Sequence, residues 1–148
     1  MSSVLGKALG IGSIKLQQSC SSWRETFELA GSALVDSKRT TAQYTREMIR
    51  AFEELGPYMV IAPGIALAHG RPSEAVLETG LSLVTLATPV VFGSPANDPV
   101  SLVIGLAAVD HDSHIDLMSA LSELLMSDDS VNFLASATNE DEVRSYLI

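Results

Sequence analysis

The chain has 148 residues, 47% of them hydrophobic and 18% charged, with a formal net charge of −9. That is long enough for one domain with a real core, and the composition is globular rather than disordered. So acidic a chain lacks the basic face that nucleic-acid binding needs, and its longest apolar or glycine run, residues 102–109, falls far short of a membrane span.

In chain order, Gly6, Gly10 and Gly12 interrupt a weakly apolar N-terminal stretch. A secretory signal would need a continuous one, so the expected location is the cytoplasm. Residues 13–17 form a short alternating strand candidate. Cys20 is the only cysteine, which excludes an intrachain disulfide and a cysteine-based zinc site and leaves a packing role. Ser22-Trp-Arg-Glu25 reads as a capping box, followed by Trp23, Phe27, Ala30 and Leu34 at helical spacing. A second helix is predicted from Thr40 or Thr41, with Tyr44, Met48, Ala51, Phe52 and Leu55 inward, stopped by Gly56-Pro57.

Residues 59–67 have strand character broken at Pro63-Gly64. Residues 79–86 and 90–92 form either one long strand or a hairpin pair around Pro89, and residues 93–99 a turn-rich loop. Residues 101–109 are a continuous apolar run of the kind buried on both sheet faces. A third helix is predicted over 114–126, and Asn139 caps a short final one. The interleaving suggests an α/β or α+β sandwich around a largely buried sheet, with no linker dividing it.

The chemistry-bearing residues gather around two of these strand ends. His69 follows one strand, with Gly70 and the fixed positive charge of Arg71 immediately after it. His114 lies shortly beyond the strand that ends near Val109. If those strands run side by side in one direction, both imidazoles reach one rim of the sheet, where ligands of open α/β sheets sit. Two imidazoles and a guanidinium there suit a phosphoryl group: one neutral imidazole attacks, and the other groups hold the oxygens. Histidine's reference pKa of about 6.5 leaves much of it neutral near pH 7. Asp110 either orients an imidazole or caps the helix that follows.

Charge sharpens the point. Residues 1–72 hold eight basic and six acidic residues, net +2, whereas residues 73–148 hold Arg144 against twelve acids, net −11. Arg71 is therefore the last base before a long acidic stretch, most of which reads as a solvated face. A reading of another class is a metal site built from His69, His111 and His114 within Asp110-His-Asp-Ser-His114, although the spacing matches no familiar metal motif. The chain has neither a G-x-S-x-G elbow nor a Walker glycine loop.

Residues 56–72, Thr79-Gly80, Phe92, Asn97-Asp-Pro-Val100 and Ala107-Ala-Val-Asp110 with His114 together resemble the enzyme IIA domains of the bacterial phosphotransferase system. The likeness is to the mannitol/fructose superfamily, most of all to its ascorbate-type members, and runs over about residues 23–148. It implies that the whole chain, 1–148, is a single EIIA type 2 domain of α/β class, a mixed central sheet flanked by helices on both faces. It further implies a phosphocarrier that takes a phosphoryl group from HPr onto His69 and passes it to an EIIB domain, with a membrane EIIC transporter downstream. His114 then takes the place of the second active-site histidine, with Arg71 and Gly70 as phosphate-binding positions and Asp110 in support. No metal or other cofactor is called for, and the domain is not itself membrane-embedded.

The same chemistry would serve a regulatory EIIA-like protein that signals by its phosphorylation state. Ascorbate-type members usually carry proline just before the phosphorylated histidine, where this chain has Ala68. His111 matches no family histidine and reads as an exposed loop residue. Ile65, Leu67 and Pro72 are expected to form an apolar rim that excludes water.

Overall fold

The structure, a computed structural model, describes residues 3–147. Apolar stretches build a five-stranded mixed sheet from β1 (Ile14–Gln18), β2 (Val60–Ala62), β3 (Ile65–His69), β4 (Gly80–Val90) and β5 (Val100–Ala107), in the order β1-β4-β5-β3-β2. β1 runs parallel to β4, and β3 parallel to β5; the β4–β5 and β2–β3 pairs are antiparallel. The α-helices are α1 (Ser3–Ala8), α2 (Trp23–Asp36), α3 (Ala42–Leu55), α4 (His111–Leu125), α5 (Asp128–Ser136) and α6 (Glu140–Tyr146), and a 3-10 turn (Pro57–Met59) leads from α3 into β2.

Period-2 strands divide the interior into two cores. Ala66, Ala68, Val84 and Val103 face α2 and α3, where they meet Phe27, Leu34, Tyr44, Met48 and Phe52. Ile65, Leu67, Leu83, Leu102, Ile104 and Leu106 face the other way, toward Leu5, Leu117, Leu121, Leu134 and Val143. The central strands are buried on both faces, which is why they read as continuous apolar runs. This placement corrects the expected apolar rim: Ile65 and Leu67 are 3% and 1% exposed and belong to the core.

The caps explain the helix boundaries. Ser22 accepts a hydrogen bond from Glu25 N–H, as the capping pattern predicts. The return bond lands one residue earlier, because the Glu25 carboxylate accepts from Ser21 N–H. α3 starts after Thr41 and ends where Gly56, at φ +82°, donates its N–H to Phe52 C=O. Leu55 is 65% exposed, not inward as its spacing suggests. α4 begins at His111 rather than His114, because Asp110 accepts Ser113 N–H at 2.8 Å and so opens the helix three residues earlier. Residues 80–90 form one strand; its register with β5 shifts between Thr85 and Val90, the stretch that holds Pro89.

α2 and α3 approach each other closely at Gly31. A Cβ there would stand 2.1 Å from Thr45 Oγ1 and 2.7 Å from Thr45 Cβ. Because the obstacle is a branched, stiff side chain, Gly31→Ala is expected to destabilise the fold by about 1–3 kcal/mol despite alanine's better helix propensity. Urea unfolding checks this, and adding Thr45→Ala should recover most of the loss. A single variant as stable as the parent would show that the two helices can separate without cost.

Candidate functional site

β3 and β5 pair in register from Ile65↔Leu102 to His69↔Leu106, so both strands end at the same rim of the sheet. The β5 end leads through residues 108–110 into α4, whose first turn carries His111 and His114. Forty-five residues apart in sequence, His69 and His114 stand with ring centroids 6.1 Å apart and planes inclined by 48°. Both are partly buried. They line an open concavity of about 280 Å³ together with Gly70, Arg71, Pro72, His111, Ala51, Leu55 and Tyr58.

The tautomer of His69 follows from its partner. Nδ1 lies 2.9 Å from Leu67 C=O, which can only accept, so Nδ1 carries a proton and the lone pair of the neutral ring is on Nε2. Tyr58 packs edge-on against the His69 ring, with centroids 5.9 Å apart. Among the described residues, the His114 ring makes no such bond. Its pKa is held below the ordinary histidine value, first by burial and then by the neighbouring His69 and His111.

The anchor beneath the site is Tyr44, fully buried on α3. Its hydroxyl donates to Leu106 C=O at 2.7 Å and accepts from Gly70 N–H at 2.9 Å, tying the end of β5 to the residue after His69. Burial pushes this hydroxyl up to about 12, so it stays protonated.

The other expected positions fall as follows. Arg71 is exposed at the concavity and, among the described residues, forms no hydrogen bond or ion pair. Its charge opposes the upward shift that burial gives the Tyr58 hydroxyl. Gly70, expected as a phosphate-binding position, lines the concavity and donates its N–H to the Tyr44 hydroxyl. Asp110 serves as the α4 cap, and the Ser113 N–H bound to it holds its carboxyl below the usual range. His111 is exposed, as expected, but it sits on the helix and borders the concavity rather than lying in a loop.

Among the described residues, no group of three or more His, Cys, Asp or Glu side chains is arranged to hold a metal ion, so the metal reading has no ligand set. The sequence reading placed Tyr44 only in the core, and it missed the contributions of Tyr58 and Leu55. The Gly-Pro-Tyr58 sequence that ends α3 was the available signal for the second tyrosine, since Gly56 and Pro57 fix the turn that aims it.

Sequence comparison agrees with this geometry. The profile of the family described as "Phosphoenolpyruvate-dependent sugar phosphotransferase system, EIIA 2" matches residues 8–148. The ascorbate-specific PTS system EIIA component of Escherichia coli is 37% identical over 132 residues, covering 88% of this chain and 86% of that protein. The solution structure of the mannitol-specific cryptic enzyme IIA CmtB of E. coli superposes with a TM-score of 0.86 at 33% identity, covering 97% of each chain. Enzyme IIAMTL from the E. coli complex with phosphorylated enzyme IIBMTL gives 0.82 at 30% identity, covering 94% of this chain and 96% of that one.

The chain belongs to the EIIA type 2 family of the phosphoenolpyruvate-dependent sugar phosphotransferase system. It is a phosphotransferase component, of a kind that carries phosphoryl groups as phosphohistidine. Among the described residues no helix is long and apolar enough to cross a membrane.

Two measurements test the site. Tyr44→Phe leaves Gly70 N–H and Leu106 C=O without their shared partner and is expected to cost about 1–3 kcal/mol in urea unfolding; an unchanged midpoint would show that the strand ends are held by other means. In an NMR pH titration, His114 should take up its proton at lower pH than an ordinary histidine. The unfolded chain then binds that proton more readily than the folded one, so the His114 contribution to stability falls as pH drops below histidine's ordinary value. A His114 midpoint at or above that value would contradict the geometry.

Proposed function

We propose that His69 is the phosphorylated residue and that Nε2 is the atom that carries the phosphoryl group. The supporting observation is the Nδ1–H bond to Leu67 C=O, which leaves Nε2 as the free nucleophile beside a second, neutral imidazole. Phosphocarrier HPr is the donor on this reading. A bond forms between phosphorus and Nε2, the donor's N–P bond breaks, and its electron pair returns to the donor imidazole. Such a loose transfer asks the protein for position and charge more than for covalent help.

His114 and Arg71 then meet the phosphoryl oxygens, one through an imidazole N–H and the other through a guanidinium that has no competing partner among the described residues. Leu55, Tyr58 and Pro72 supply the apolar border that Ile65 and Leu67 do not. The phosphoryl group passes on to an EIIB domain, consistent with the solved complex of the mannitol relative, and then to sugar entering through a membrane EIIC. The whole chain, residues 1–148, acts in the cytoplasm as one such domain. Ascorbate is the first substrate to test, given the ascorbate-specific relative at 37% identity. That likeness also favours a transport role over a purely regulatory one.

Incubation with enzyme I, HPr and phosphoenolpyruvate is expected to give an acid-labile adduct at residue 69. His69→Ala should take up none while its circular dichroism stays native; labelling of that variant would move the site elsewhere. His114→Ala should still accept label, but transfer it onward about 10- to 100-fold more slowly, the effect of one lost charge-assisted hydrogen bond. Onward transfer at the parent rate would leave His114 with no part in the chemistry.

A further inference from the structure

We infer that His111 is a third phosphoryl-binding imidazole of this site, additional to His69 and His114. The inference rests on the reading of His69 as the phosphorylated residue. His111 and His114 are three residues apart at the start of α4, which puts both on one face of the helix. That face borders the concavity holding His69 and Arg71. His111 is exposed and, among the described residues, has no hydrogen bond or ion pair of its own, so an imidazole N–H is available to an oxygen.

Helix stability does not account for its position. The first turn of a helix favours negative charge, as Asp112 supplies, and an imidazole that can become cationic opposes the helix dipole there. A phosphoryl group on His69 reverses that balance, because it brings nearly two negative charges to the mouth of the same concavity. Around His111 stand Asp110, Asp112 and His114 on its own element or cap, His69 and Arg71 at the end of β3, and Tyr58 across the opening. Asp110 and Asp112 are the carboxylates nearest to it along the chain, and the Asp110 carboxylate is turned onto Ser113 N–H as the helix cap. Among the described residues that line the concavity, Arg71 is the one permanently charged cation, and the phosphoryl oxygens have room for a further donor.

The test compares the parent protein with His111→Ala and His111→Gln, each equilibrated with a fixed ratio of phospho-HPr to HPr. The fraction phosphorylated is read by ³¹P NMR, and melting of the unphosphorylated proteins is followed in parallel. His111→Ala is expected to lower the equilibrium constant for phosphorylation about three- to tenfold and to shift the phosphohistidine resonance. His111→Gln, which keeps a side-chain N–H donor, should recover part of the equilibrium constant, with melting unchanged in both variants. Equal phosphorylation of parent and His111→Ala would overturn the inference, as would an equal loss in both variants accompanied by lower melting temperatures. A His69→Ala control that still takes up label would instead overturn the assignment of His69, and this inference with it.

Discussion

The parallel pairing of β3 with β5 is the constraint on which the site depends. Each strand is buried on both faces and can shift only by moving its whole set of side chains, so the register His69↔Leu106 is firmly set. Parallel strands end at the same rim, and this converts a 45-residue separation into a centroid distance of 6.1 Å. Where the ladder runs out, the Tyr44 hydroxyl takes over, joining Leu106 C=O to Gly70 N–H through one buried oxygen. A tyrosine held protonated suits this position, because it donates to one strand end while accepting from the other.

The electrostatics of the two imidazoles follow from that placement. Leu67 C=O holds one ring in a single tautomer, while burial and neighbouring histidines keep the other from charging easily. In the absence of phosphate the lowered pKa of His114 limits the positive charge beside Arg71, the permanent cation of the concavity. On the proposed chemistry, an incoming phosphoryl group supplies the opposite charge that makes protonation of His114 favourable. The site is thus poised to gain positive charge when the phosphoryl group arrives and to give it up on transfer. Such a balance suits a carrier, which must hold its cargo firmly enough to keep it and loosely enough to pass it on.

Much of this was legible in the sequence, for reasons that differ from residue to residue. The apolar runs that became β3 and β5 could be read because burial on both faces removes the polar alternation. The start of α2 was visible in Ser22 and Glu25, and the end of α3 in Gly56-Pro57, because these are local stereochemical signals. The start of α4 was misplaced: Asp110-His-Asp-Ser looks like a polar loop until one sees the Asp110 carboxylate turned onto Ser113 N–H. α1 and α5, of six and nine residues, are too short for helical periodicity to rise above background, and their apolar residues acquire meaning only against the sheet. Tyr44 was correctly read as inward, but its bonds to Gly70 and Leu106 join residues 26 and 62 positions away, beyond any local pattern.

Ala68 shows how such long-range contacts can relax a local requirement. The resemblance to ascorbate-type domains leads one to expect a proline before the phosphorylated histidine, which would fix the backbone there. In this chain Ala68 is fully buried and pairs with Gly105, one step before the end of the β3–β5 ladder. β2 pairs only with Ile65 and Ala66, so the far end of β3 has a strand on one side alone, the kind of edge on which proline is tolerated. Alanine needs no such edge, and its methyl group packs into the core beneath α2 and α3. The direction of His69 is then set from elsewhere, by the ladder partner Leu106, by the bond from Nδ1 to Leu67 C=O and by the Tyr44 bridge at Gly70. Two tertiary restraints and one local bond hold the imidazole in place, so the residue before it is free to serve the core.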